Sequence, residues 1–108
     1  MCRSMDHQVL QEQFKDLEYL AADFLEREDF ESAAKCYQHL ILDDPDDARA
    51  YYNLAIVLHD LSMFDESLAC YEQAIKLGYD NVARANLNTG MNYLKMGDFK
   101  RGFHYVDL

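Results

Sequence analysis

Apolar residues recur at helical intervals along this chain. Leu10, Phe14, Leu17, Ala21 and Phe24 step by four, three, four and three, which aligns them on one stripe of a helix. Leu54, Ala55 and Leu58 repeat the pattern further on. The breaks between stripes carry start and stop signals. Asp29 and Asp98 each stand just before a Phe and are suited to cap a helix. Ser62, with Asp65 three residues later, offers a weaker version of the same device. Pro45, after Leu42-Asp43-Asp44, stops a helix, and Asp46 or Asp47 is placed to cap the next. The pattern predicts helices over 6–27, 30–42, 47–61, 64–77, 81–96 and 99–108. Only four Gly and one Pro interrupt the 108 residues, a scarcity that favours helices over a turn-rich β fold.

The chain also resembles itself. Sliding residues 20–42 onto 54–76 pairs Leu20 with Leu54, Ala21 with Ala55, Phe30 with Phe64, Cys36 with Cys70, Tyr37 with Tyr71 and Ile41 with Ile75, always 34 apart. A third copy follows at an offset of 35, with Ala55 on Gly90, Leu58 on Tyr93, Ser62 on Gly97, Phe64 on Phe99 and Ser67 on Gly102. The extra residue is expected near Val82, in a connection between units, where insertions are tolerated. Ala21, Ala33, Ala55 and Ser67 are small where two helices would cross at about 8–10 Å. Phe24, Tyr37, Leu58 and Tyr71 would then fill the space between one helix pair and the next.

These residues resemble the tetratricopeptide repeat (TPR) family, whose unit is two antiparallel helices in 34 residues. Leu17, Leu20, Ala21, Phe24, Ala33, Tyr37 and Pro45 match the family pattern in the first copy, with Leu40 where a small residue is expected. Tyr51, Leu54, Ala55, Leu58, Ser67, Tyr71 and Ala74 match in the second, with Tyr79 in place of the Pro. The third is degenerate: Gly90, Tyr93 and Gly102 fit, whereas Asn86 and Thr89 do not. The resemblance implies an all-α fold, a right-handed superhelical stack of antiparallel helix hairpins. Its units run over 14–47, 48–81 and 82–108, the last truncated, with 1–13 extending the first helix. A lone unit cannot bury its apolar face, so stacking must supply the core.

The resemblance further implies that the first helix of each pair lines a concave side used to hold a partner peptide or helix. In the second unit this row is Arg49, Tyr52, Asn53, Ile56 and His59. In the third it is Arg84, Leu87, Asn88, Met91 and Leu94, and in the first Lys15, Glu18, Tyr19, Ala22 and Leu25. The row has one cation per unit at its edge and an apolar floor of Tyr52, Ile56, Leu87, Met91 and Leu94. Such a groove suits a segment with apolar anchors and a polar or acidic end. Asn53 and Asn88 have amides able to clamp a ligand backbone, and Met91 adapts to varied side chains. The alternative is that a further helix or a second copy covers the floor. One TPR subtype grips chaperone tails with a two-carboxylate clamp. Asn53 and Arg84 match that clamp, but Glu18 and Ala22 stand where Lys and Asn belong and Asn88 replaces an Arg, so this binding mode is not expected.

Charge and chemistry narrow the function classes. Twenty acids against ten Lys and Arg give a net charge of −10. The imbalance lies almost wholly in residues 1–48, with 13 acids and 4 bases. Such a surface repels nucleic acid and anionic lipid, so neither is expected as a partner. No apolar leader or run of about 18 apolar residues is visible, and three widely spaced cysteines make no disulfide framework, which points to a reduced, cytoplasmic protein. Cys2 lacks the apolar run that precedes a lipidated cysteine. His7, His39, His59 and His104 are scattered. Cys36, His39 and Cys70 lack a fourth zinc ligand, with Gln73 at the place matching His39. No phosphate loop or calcium loop is present. No cofactor, metal or enzymatic activity is expected.

The last helix leaves Phe99, Phe103, Val106 and Leu108 without a cover, and terminal units of such stacks need a polar cap. One reading is self-association through this C-terminal edge. Another is an adaptor that leads into a larger enzyme, because residues 94–103 are similar to the last repeat before the catalytic domain of bacterial TPR-linked glycosyltransferases.

Overall fold

A computed structural model describes the backbone over residues 7–106 and the side chains over 16–106. Six helices follow in order: α1 His7–Glu26, α2 Phe30–Asp43, α3 Ala48–Asp60, α4 Phe64–Lys76, α5 Val82–Lys95 and α6 Phe99–Val106. All six predicted helices are present, and their bounds fall close to those expected. The side chains of His7, Leu10, Phe14 and Lys15, and all of Cys2 and Leu108, lie outside the described residues.

The helices pair as three hairpins, α1–α2, α3–α4 and α5–α6, each packed on the next, in a body of 58 × 28 × 18 Å. One turn geometry recurs in every hairpin. Glu28, Ser62 and Gly97 all take positive φ, at 59°, 61° and 84°. In each turn the following residue reaches back five positions: Asp29 N–H to Phe24 O, Met63 N–H to Leu58 O and Asp98 N–H to Tyr93 O, all at 2.8 Å. This is the Schellman closure of a helix end.

Caps then start the helices. Asp29 accepts from Ser32 N–H at 3.2 Å, Asp47 from Ala50 N–H, Asn81 from Arg84 N–H and Asp98 from Arg101 N–H, each of these three at 3.1 Å. Two expectations are corrected here. Ser62 does not cap α4; it occupies the left-handed position of the turn, and Met63 stands at the cap without a side-chain hydrogen bond. The extra residue of the third unit does not lie in a connection. Asn81 keeps the 34-residue offset from Asp47, and α5 has 14 residues where α3 has 13, so the insertion falls in the first turn of α5.

Small residues set the helix crossings. Ala21, Ala33, Ala55 and Ser67 are fully buried, and Ser67 Oγ donates to Ala55 O at 2.6 Å. In the third hairpin two glycines take over. A Cβ on Gly90 would stand 2.9 Å from Gly102 O, and one on Gly102 would stand 2.5 Å from a Leu94 methyl. Tyr37 and Leu58 are buried in one cluster, with Phe24 packed at its edge, and Tyr71 is buried in a second. The buried apolar residues form two clusters, one around Ala21, Tyr37 and Leu54 and one around Tyr52, Tyr71 and Ala85, with Cys70 packed against both, as expected where each hairpin packs only on its neighbours.

Candidate functional site

The first helices place a row of side chains along one side of the stack, and two hollows open there, one at each joint between hairpins. The larger, of about 270 Å³, lies between α3 and α5 and is lined by Tyr52, Ile56, His59, Tyr71, Arg84, Asn88 and Met91. The smaller, of about 190 Å³, lies between α1 and α3 and is lined by Glu18, Ala22, Tyr37, Leu40, Arg49, Ala50 and Asn53.

Tyrosines build the back of the larger hollow. Tyr52 is almost wholly buried, stacks on Tyr79 with ring centroids 4.3 Å apart, and meets Tyr71 edge-on at 5.7 Å. Asn88 Nδ2 donates to Tyr52 Oη at 2.8 Å. Burial, and then the neighbouring Tyr52 hydroxyl, push the Tyr71 phenol well above its ordinary range, only partly offset by a hydrogen bond from Asn88. Tyr71 therefore stays a neutral phenol throughout the physiological range.

His59 forms the end of a buried polar chain that ties three helices together. Asn92, fully buried on α5, donates through Nδ2 to Ser67 Oγ at 2.8 Å, and the Ser67 hydroxyl in turn donates a hydrogen bond to Ala55 O. Asn92 Oδ1 is thus the acceptor for His59 Nδ1–H. That arrangement fixes the imidazole and leaves Nε2 as its remaining polar atom beside the hollow. Arg84, exposed at the mouth, has no side-chain hydrogen bond or ion pair among the described residues. The larger hollow is therefore apolar at Ile56 and Met91, polar at His59 and Asn88, and cationic at Arg84, with no carboxylate in its lining.

The smaller hollow is different. Glu18 and Arg49 act on Tyr37 in opposite senses: burial chiefly, and then the Glu18 carboxylate, raise the phenol, while Arg49 lowers it. Acid and base thus both line this hollow, where the larger has only a cation.

Of the nine residues expected in the groove, Tyr52, Ile56, His59, Arg84, Asn88 and Met91 converge on the larger hollow, and Arg49 and Asn53 on the smaller. Leu87 does not join them. It stands exposed outside both hollows, whereas Tyr52, its equivalent in the second unit, is covered by Tyr79. Leu94 is likewise no part of the floor; it packs onto Gly102 inside the last hairpin. Asn88 has one amide N–H committed to Tyr52, so it is part of the wall of the hollow as well as a group facing it. Tyr71 and Tyr79 were not expected around the site. Tyr79, in the place of the family's Pro, was the visible signal. Among the described residues no cluster of three or more His, Cys, Asp or Glu is placed to hold a metal ion, and no helix is long and apolar enough to cross a membrane. Cys36 and Cys70 are free thiols.

Two family signatures match the sequence, Tetratricopeptide repeat over residues 48–77 and TPR repeat over residues 23–62. The chain belongs to the tetratricopeptide repeat family. Solved structures similar to this TPR protein include the TPR2B domain of yeast Sti1 in its pHsp70 complex, at 24% identity and TM-score 0.79, covering 87% of this chain and 74% of that one. The Yersinia enterocolitica type III secretion translocator chaperone SycD, in an alternative dimer, gives 19% identity and TM-score 0.80 over 87% of this chain and 70% of its own. MamA AMB-1 gives 17% identity and TM-score 0.76 over 87% of this chain and 51% of its own. At these identities the likeness is one of fold. No curated protein sequence matches the TPR chain significantly.

Proposed function

We propose that this TPR protein is an interaction module that holds a partner segment along its first helices, with the hollow between α3 and α5 as the anchor point. The observation that carries the reading is the lining of that hollow. Ile56 and Met91 offer apolar contact, while Arg84 and the outer nitrogen of His59 present polar groups that the fold does not use. The occupant is a short peptide or helix with one apolar side chain seated on Met91 and an acidic group at Arg84. Arg49 and Asn53 extend the track toward the first hairpin, where Glu18 admits a basic or neutral residue. The yeast Sti1 domain in complex with pHsp70 lends support by analogy of fold alone.

Selection from a displayed library of random peptides tests this. Enriched sequences are expected to pair an apolar residue with Asp or Glu. Binding by fluorescence anisotropy should weaken at least tenfold in Arg84→Glu and in Met91→Glu, two exposed positions whose replacement leaves the core intact. Enriched peptides that bind both variants as well as the parent would remove this hollow as the site.

A further inference from the structure

The two ends of the stack carry opposite charge on the same kind of surface. Inside the molecule, each joint is made by the first helix of one hairpin seated on the hairpin before it. In α3 the seated positions are Ala50, Leu54 and Val57, and in α5 they are Ala85, Thr89 and Asn92, all buried. The equivalent residues of α1 are Asp16, Leu20 and Asp23. All three are exposed, Leu20 at 46%, with Tyr19 beside it at 67%. The α1 face therefore has the register of a joint but places two carboxylates around its central leucine.

The other end is the complement. Ala34 and Tyr37 of α2 lie buried at the first joint; their equivalents in α6 are Phe103, 59% exposed, and Val106, 42% exposed. Phe99 stands beside them at 60%, its ring 6.5 Å from that of Phe103. The charge reverses as well. Where α2 and α4 carry Glu31, Asp65 and Glu66 in their first turns, α6 carries Lys100 and Arg101, followed by His104.

We infer that this protein associates head to tail with a second copy, the α6 face of one chain seated on the α1 face of the next. This rests on the ends of the stack and not on the groove. Geometry supplies the first argument, since the two ends are the two halves of a contact already made twice within the chain. Charge supplies the second. Joining α6 to α6 would set Lys100 and Arg101 against themselves, and joining α1 to α1 would do the same for Asp16 and Asp23, whereas α6 on α1 matches opposite signs. Asp23 already holds Arg27, and Arg101 lies 3.5 Å from Asp98, but such exposed pairs along one helix are weak competitors. A contact between unlike faces does not close on itself in a dimer, so it extends with concentration.

Sedimentation velocity across a wide concentration range tests the inference. The wild type should sediment faster as concentration rises, and added salt should reverse the effect. Leu20→Glu blocks one end and Phe103→Glu the other, so each variant alone should stay monomeric, while their mixture should form a one-to-one pair and nothing longer. Because both positions are exposed, melting curves close to the wild type's are expected. Asp16→Lys and Lys100→Glu form a second pair: each should weaken association at least tenfold alone, with recovery in the mixture. A wild type that stays monomeric would overturn the inference and assign these faces to another occupant. So would a Leu20→Glu chain that dimerises by itself, or a blocked pair that fails to combine.

Discussion

Asn92 occupies a place where the second hairpin has Val57, and both are fully buried. A valine there needs only contact, whereas an amide needs partners for its donor and its acceptor. Asn92 finds both, in Ser67 Oγ and His59 Nδ1, and so fastens α5 to α3 and α4 at once. Removing it leaves His59 Nδ1 without its partner, takes one of the two hydrogen bonds from Ser67 Oγ and opens a cavity. Asn92→Ala should cost about 2 kcal/mol in urea denaturation, and a double-mutant cycle with His59→Ala should show coupling of about 1 kcal/mol. Strictly additive losses would mean that the pair does not act as one unit. A steric test belongs at the same scale. Ala55 is wholly enclosed, with its carbonyl under Ser67, while Ala69 is exposed. Ala55→Leu should cost about 1–3 kcal/mol by overpacking, and Ala69→Leu close to nothing; equal melting temperatures would contradict the assigned crossing.

At the scale of the helix, repeat register turns one defect into a prediction. Asp29, Met63 and Asp98 are equivalent, and the backbone at Met63 (φ −94°, ψ 69°) nearly reproduces that at Asp29 (φ −90°, ψ 75°). Only the carboxylate is missing. Met63→Asp should therefore supply the cap that α4 lacks and raise stability by about 1 kcal/mol, read as a higher melting temperature; no gain would show that Met63 contributes as much by packing. The same register explains what could be read from the chain beforehand. Helix positions were legible because apolar stripes, Asp caps and Pro45 agree with one another. Ser62 misled because Ser before an acidic residue also signals a cap, and nothing local distinguishes the cap from the left-handed turn one residue earlier. Only comparison with Glu28 and Gly97 does so. The site was legible to the same degree. Spacing on α3 and α5 found the first-helix residues, but Leu94 was drawn inward by Gly102, and Tyr79 folded over Tyr52 from a connection that helical periodicity does not address.

Across the whole molecule, the joints between hairpins carry groups that resist ionisation. Burial raises the Tyr37 phenol at the first joint and the Tyr71 phenol at the second. Beside Tyr71, burial together with the Glu66 carboxylate pushes the Cys70 thiol from its ordinary 9.0 up to about 11. In each case the fold favours the neutral form, and the unfolded chain ionises first. These groups thus leave stability unchanged below their ordinary range and subtract from it as pH rises through the interval up to the folded value. The melting temperature should be flat to about pH 8.5 and fall steadily from there toward pH 11. The loss should centre on the second joint, since Tyr71 and Cys70 both sit there. Tyr71→Phe keeps the ring and removes the titrating hydroxyl, so the alkaline slope should become shallower even if stability at neutral pH drops slightly. A slope identical to the wild type's would place the alkaline weakness elsewhere, in the general repulsion of a chain that already carries a charge of −10.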